Sequence, residues 1–300
     1  MKKTLFIATD NALAKTGFGR SARSLIEYLY KLDRYNIVHF CIGTVVGDPN
    51  LDRTPWRSIG SVDPNIVGQL KQQNPSQHHD QIDRLAGYGH YTLENALREV
   101  KPQIAWFVQD PWAFPDLENR DWFNKITSVF SVTLDSLPLL PSAVNVCSKS
   151  KHYWLWADFA TKELHRLGHK HARTVRGPLE TKHFYRLPDS KRRELRQSFG
   201  IPQDAFVGGF VFRNQLRKSA PQLLIGFKQF QKENPTINAK LVLFCNWFEG
   251  WDLPGLIKEN GINNNDILTA YICKACGKYE VKLFAGNDLD CRFCHAQKSQ

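Results

Sequence analysis

The sequence offers no apolar run near the roughly eighteen residues that a membrane-crossing helix needs. It also lacks a signal-peptide core. After Met1-Lys2-Lys3 only five apolar or neutral residues, Thr4 to Ala8, precede Thr9 and Asp10. Both absences predict a cytoplasmic chain with reduced thiols. Its seven cysteines are odd in number, which excludes a complete disulfide framework. There is no internal repeat and no low-complexity segment. With 42% apolar and 23% charged residues, the composition excludes a mainly disordered chain and a collagen-like fibre. What is there is a chain of 300 residues, comfortable for two domains.

The net charge of +11 is unevenly placed. Residues 1–150 hold 16 Lys and Arg against 15 Asp and Glu, whereas 151–300 hold 24 against 14. Most of the excess falls in 151–218, with 15 basic and 6 acidic residues. Such a block attracts anions: the phosphates of a small ligand, nucleic acid or a membrane surface.

Short apolar runs alternate with helical patterns, which predicts an α/β design with parallel strands. Segments 4–10, 36–43, 103–110, 125–135 and 143–150 read as strands. Ala22, Leu25, Ile26 and Leu29 give an intervening helix its apolar face. The polar stretch 47–85 reads as loops, 93–100 as a helix, and 151–167 as a helix stopped by Gly168. Further on, Asp189 and Ser190 are placed to cap a helix ending at Gly200. Segments 205–212 and 240–246 read as strands. Pro221 suits the first turn of a helix carrying Leu223, Leu224, Phe227 and Phe230 on one side. The expected division is 1–175, 176–270 and a cysteine-rich miniature unit, 271–300.

Cys273, Cys276, Cys291 and Cys294 form two CxxC pairs separated by fourteen residues. Such pairs bring four thiolates to one tetrahedral point, the pattern of a structural zinc ribbon with no open position for catalysis. Gly277 follows the first pair, where a left-handed residue is expected. Tyr279, Val281 and Leu283 alternate as a hairpin strand does. Cys41, Cys147 and Cys245 sit in apolar runs and read as small core residues.

Gly17-Phe18-Gly19-Arg20 follows the first strand, where glycines let the backbone approach an anion at a helix N-terminus. The third glycine of a dinucleotide fingerprint is missing, so a plain strand-to-helix turn is the competing reading. Arg213, Arg217 and Lys218 follow the strand 205–212. Basic side chains at the carboxyl end of a parallel strand face the crevice where open α/β sheets bind ligands. Arg213 can grip a phosphate bidentately and Lys218 supplies a point charge, against the alternative of a solvated basic loop. Asp110 and Asp135, at strand ends, are the acid–base candidates, and each could equally cap a turn. His78, His79 and His90 lie in polar surroundings and are expected to face solvent. Trp106, Trp112, Trp122, Trp154 and Trp156 read as core, with one of Trp112 or Trp122 as the alternative surface on which an acceptor could stack.

In order and spacing, these pieces resemble the retaining glycosyltransferases of the GT-B fold, the family-four-like group also called glycosyl transferases group 1. Thr16-Gly17-Phe18-Gly19-Arg20 resembles the glycine-rich loop after the first strand. Ser148-Lys149-Ser150 and the stretch Leu164 to His169 resemble the close of the N-terminal domain. Arg176 through His183 to Phe184 resembles the interdomain linker. Arg213 to Lys218 resembles the arginine-and-lysine pair that holds the donor diphosphate. The similarity covers about residues 1–250. Pro178, Leu179 and Glu180 depart from the valine and aspartate usual in that linker.

The resemblance implies two Rossmann-like lobes, an acceptor-side lobe at 1–175 and a donor-binding lobe at 176–270, with 271–300 as a zinc-ribbon insert or tail. It implies sugar transfer with retention from a nucleotide-sugar of UDP or GDP type to an unknown acceptor. Arg213, Lys218 and Arg217 would hold the donor phosphates, and Gly17 and Gly19 would shape the acceptor side. The family's acidic sugar-binding helix finds no match, for Glu249 and Glu259 do not fit its spacing. The expectation is therefore an incomplete C-terminal lobe: one fragment of a split enzyme completed by a second polypeptide, a truncated chain, or a degenerate one. Two other classes remain at this point: a zinc-ribbon nucleic-acid-binding protein, and an inactive lobe serving as a partner subunit. The ribbon's balance of Lys274, Lys278, Lys282 and Arg292 against Glu280, Asp288 and Asp290 argues against nucleic acid as the partner.

Overall fold

A computed structural model describes residues 2–75, 79–182, 184–286 and 289–297, and His78, His183 and Asp288 lie outside them. The chain divides into two compact units, Met1–Tyr185 and Arg186–Gln300.

The first unit is built on seven parallel strands: β1 (Lys3–Asp10), β2 (Tyr35–Val45), β3 (Arg57–Val62), β4 (Ile104–Gln109), β5 (Thr127–Val132), β6 (His152–Leu155) and β7 (Arg173–Thr174). Their order across the sheet is β3-β2-β1-β4-β5-β6-β7. β1 runs in register with β2 from Lys3↔Tyr35 to Asp10↔Ile42 and with β4 from Leu5↔Ile104 to Ala8↔Phe107. Leu5 to Thr9 are all buried, the continuous burial of a strand covered on both faces.

The alternation of side chains decides what each face meets. Leu5 and Ile7 pack with Ala22 and Ile26 of helix α1 (Gly17–Lys31). Phe6 and Ala8 belong to the opposite core. That core also takes Leu97 of α4 (Leu93–Val100), Val146 and Cys147 of α5 (Pro141–Lys149), and Leu164 of α6 (Asp158–Arg166). Each fully buried Phe, Leu or Ile contributes on the order of 1.5–3 kcal/mol.

Several sequence expectations change here. The polar stretch 47–85 is not loop: it holds β3, α2 (Pro64–Gln73) and α3 (His79–Gly87). The side chain of Asp63 caps α2 by accepting from the Asn65 N–H at 2.9 Å, and Pro64 starts it, signals hidden by the polar composition. Residues 143–150 form the helix α5 rather than a strand. Pro141 opens the helix, and Ala143, Val146 and Cys147 fall on one buried face at helical spacing. The helix expected over 151–167 begins only at Asp158. Before it, β6 alternates, with Tyr153 and Leu155 buried and Trp154 edge-on to Trp106 at 5.3 Å. Gly168 does stop α6, at φ +98°.

The second unit has a four-stranded sheet in the order β11-β10-β9-β8, from β8 (Phe206–Val211), β9 (Ala239–Phe244), β10 (Ile267–Ile272) and β11 (Tyr279–Leu283). β8, β9 and β10 are parallel, and β11 returns antiparallel to β10. Leu224 of α8 (Ala220–Glu233) and Leu253 and Ile257 of α9 (Leu253–Glu259) pack on Leu241 and Leu243. Val242, Leu268 and Val281 face the other way, toward Phe199, which follows α7 (Asp189–Ser198). Pro188, not Asp189 or Ser190, occupies the N-cap position of α7, and no side chain caps it. β11, the strand of the cysteine-rich segment, is an edge strand of this sheet, paired antiparallel with β10. Among the described residues β8 has a neighbour on one side only, and Phe206 and Val211 are exposed. No helix of the described residues is long and apolar enough to cross a membrane.

Candidate functional site

In the first unit the parallel strands put their carboxyl ends on one rim, and the strand order reverses between β1 and β4. Open α/β sheets bind ligands at such a reversal. Asp10 ends β1 there. Its Oδ2 accepts from the Thr16 hydroxyl at 2.7 Å and its Oδ1 from Gln109 Nε2 at 2.7 Å. Its backbone carbonyl lies 3.2 Å from His39 Nε2. A carbonyl only accepts, so Nε2 carries the proton and Nδ1 accepts from the Cys41 thiol, 3.3 Å away. Burial lowers the His39 pKa to about 4, against the raising effect of bonds to the Asp10 and Thr9 backbone. Burial also pushes the Cys41 thiol up to about 12, which keeps it protonated as that donor.

The glycine-rich loop is a capped helix start. Thr16 is the N-cap of α1 and accepts from the Gly19 N–H at 2.9 Å. A Cβ on Gly19 would stand 2.6 Å from the Ala14 carbonyl oxygen and 2.9 Å from that of Asn11. One on Gly17 would meet nothing within 4 Å. Gly19 is thus demanded by the turn itself, while Gly17 leaves the backbone open.

Asp110 follows β4 and its Oδ1 accepts from the Thr133 hydroxyl. Asp135 is exposed, two residues beyond Thr133. Trp112, 49% exposed, meets Tyr88 edge-on at 4.9 Å. Trp122 is half-buried and stacks on Phe107 at 5.9 Å. The Tyr88 hydroxyl is pushed up first by burial, then by the charges of Asp10 and Asp110. His79 is exposed as expected, but His90 is half-buried and its Nε2 donates to the Ala113 carbonyl at 3.1 Å. Reasoning from sequence missed Asp10, Tyr88 and His39. An acid closing the first buried strand was the one available signal.

In the second unit Arg213, Arg217 and Lys218 lie together on the loop between β8 and α8, the first two exposed and Lys218 half-buried. Asn214, fully buried, pins that loop. It donates to the Trp251 carbonyl at 2.8 Å and accepts from the Trp251 N–H at 3.3 Å. Trp251 Nε1 in turn donates to the Leu216 carbonyl at 3.1 Å. Gly250, at φ +78°, makes this approach feasible, since a Cβ there would lie 2.0 Å from the Asn214 carbonyl oxygen. Arg213 is paired with Glu249, its Nε donating to Oε1 at 2.6 Å. That bond and the adjacent charge raise the guanidinium pKa further. Both contacts go to one oxygen through Nε and Nη2, and among the described residues Nη1 takes no partner.

The cysteines converge. Cys273 and Cys294 have their sulfurs 3.7 Å apart, Cys276 and Cys291 3.8 Å, and all four lie within 4.8 Å of one another. A tetrahedron with metal–sulfur bonds of about 2.3 Å has edges of about 3.8 Å, so the donor set fits a four-thiolate metal centre. Each pair turns a backbone N–H back onto its first sulfur, from three residues on in the first pair and two in the second. The Cys276 N–H points at Cys273 Sγ (3.3 Å), and the Phe293 N–H at Cys291 Sγ (3.4 Å). Gly277 at φ +69° and His295 at φ +59° then turn the chain away in the left-handed region. Buried Glu280 holds Lys282 at 2.8 Å and Arg292 at 3.1 Å, which commits basic side chains of the hairpin internally. Cys41 and Cys147 are fully buried as expected, although Cys147 sits on a helix, and Cys245 is half-buried.

The sequence matches no protein-family model and no curated protein. Solved structures do match. A glycosyltransferase from Rickettsia africae superposes with a TM-score of 0.54 at 13% identity, over 89% of this chain and 68% of that one. The N-terminal domain of a trehalose-6-phosphate phosphatase from Candida albicans gives 0.56 at 12% identity, over 90% of this chain and 72% of that one. At such identities the likeness shows the fold: α/β, of the GT-B type with Rossmann-like lobes.

Proposed function

We propose that this chain binds a nucleoside-diphosphate sugar of UDP or GDP type through its β8–α8 loop and takes part in transferring the sugar with retention. The observation that carries the reading is the cluster of Arg213, Arg217 and Lys218 on a loop pinned by buried Asn214, at the carboxyl end of a parallel strand. As the diphosphate leaves, negative charge grows on its β-phosphate, and fixed cations stabilise that charge without reorganising. Nη1 of Arg213 is available to an incoming oxygen while Glu249 holds the rest of the fork. The likeness in fold to a protein named a glycosyltransferase supports the reading.

Zinc is the metal proposed for Cys273, Cys276, Cys291 and Cys294, in a structural role that staples the β10–β11 hairpin. Four thiolates fill its coordination, and reduced thiols fit the cytoplasm. Gly17 and Gly19, with Asp110 as the acid–base candidate and Asp135 as the second, belong to the acceptor side. β8 carries no charge, proline or bulge to protect its open edge. That supports the proposal that further strands, from a second polypeptide, complete the donor-side lobe. Alone, the chain is then expected to bind the diphosphate and to transfer sugar weakly.

Calorimetry with UDP, GDP and the parent nucleosides tests the reading. Tighter binding of a diphosphate than of its nucleoside, lost in Arg213→Ala, supports it. Equal affinities for diphosphate and nucleoside reject it, and duplex DNA binding without diphosphate affinity would favour a nucleic-acid role instead.

A further inference from the structure

The donor chemistry leaves the aromatic pair on the first unit's rim unused. Trp112 lies in the short turn Pro111–Ala113, two residues past Asp110, and is 49% exposed. It is nevertheless held. Tyr88 meets it edge-on at 4.9 Å and 81°. The loop carrying Tyr88 is tied to the turn carrying Trp112 by the His90 bond to the Ala113 carbonyl, 3.1 Å. That loop is also anchored by the Thr92 hydroxyl donating to the Ser61 carbonyl at 2.6 Å, and Ser61 donates to the Gly87 carbonyl at 2.8 Å. A large apolar face is therefore presented to solvent on a rigid support.

A carboxylate lies two residues before it in the chain. Asp110 uses Oδ1 for the Thr133 hydroxyl, and among the described residues its Oδ2 takes no hydrogen bond. A ligand that suits this pairing has one apolar face of C–H groups and an edge of hydroxyl donors. That is a pyranose ring: its C–H face packs on the indole, and a hydroxyl makes a charge-assisted bond to the carboxylate. A lipid tail would leave the carboxylate desolvated and unpaired, which is costly. A phosphorylated ligand would bring like charge toward Asp110 and Asp10.

We infer that Trp112 is the stacking platform of a subsite for an uncharged sugar, with Asp110 orienting one of its hydroxyls. That this sugar is the acceptor rests on the proposed transfer reading; the binding itself does not. The test uses the whole chain, titrated with methyl glucoside, methyl galactoside, methyl mannoside and maltose by ligand-observed NMR, with UDP and GDP titrated in parallel. At least one sugar binds saturably, with a Kd on the order of millimolar. Trp112→Ala weakens it about tenfold or more, and Trp112→Phe keeps affinity within about threefold because a flat ring remains. Asp110→Asn weakens binding less than Trp112→Ala, and none of these variants changes the diphosphate affinity. Unchanged sugar affinity in Trp112→Ala, or no sugar binding by the wild type, overturns the inference. Tighter binding of glucose 6-phosphate than of methyl glucoside overturns its claim of an uncharged ligand. Trp112-dependent sugar binding with no diphosphate affinity would sink the donor reading and leave the platform standing.

Discussion

Replacing His39 by Gln isolates the electrostatics beneath the rim. The imidazole is fully buried, neutral, and bonded through Nε2 to the Asp10 carbonyl. Its ordinary pKa of 6.5 falls to about 4 in the folded protein, chiefly through burial. As pH falls below 6.5, the unfolded chain takes up a proton at His39 while the folded chain does not. The unfolded state is therefore favoured progressively. The stabilisation is fully present above about 6.5 and is lost as pH falls toward about 4. The gap of about 2.5 units, at about 1.4 kcal/mol per unit, amounts to about 3 kcal/mol. His39→Gln keeps an N–H for the Asp10 carbonyl but cannot titrate. Urea unfolding of both proteins from about pH 7.5 to about pH 4.5 should show the wild type losing stability relative to the variant, by up to about 1.4 kcal/mol per pH unit. Carboxylates and the other histidines are common to both and cancel in the difference. Parallel stability profiles would refute the claim that His39 is held neutral by burial.

Purified under reducing conditions, the chain should carry about one zinc by elemental analysis, and Cys276→Ser should release it and loosen chiefly the β10–β11 hairpin by hydrogen exchange. Arg213→Ala should weaken UDP or GDP binding about tenfold or more in calorimetry, the scale of a lost charge-assisted bond. Glu249→Gln should strengthen the same binding by releasing the guanidinium from its carboxylate partner. Gly19→Ala drives a methyl into two backbone carbonyls and should cost about 1–3 kcal/mol by thermal or urea unfolding. Thr16→Ala removes the cap of α1 and should cost about 1 kcal/mol; wild-type stability in either variant would contradict the geometry of that loop.

Local chemistry determined much of this protein directly. Two CxxC pairs specify a four-sulfur cluster because a two-residue gap closes a knuckle in any context, and Gly277 turns left-handed as its position demands. Apolar runs such as Leu5 to Ala8 announce buried parallel strands because both faces need covering. Gly168 and Pro221 punctuate helices through backbone sterics alone. Where two local structures were both affordable to the chain, only tertiary packing chose. The residues around Val146 and Cys147 became a helix because one face meets the core beneath β5 and β6. Tyr153 and Leu155 became a strand because β5 offered an open ladder. The rim was only partly legible. Asp110 could be named from its place at a strand end, but Asp10, His39 and Tyr88 are far apart in sequence and come together only in the assembled sheet, where β2, β1 and β4 lie side by side.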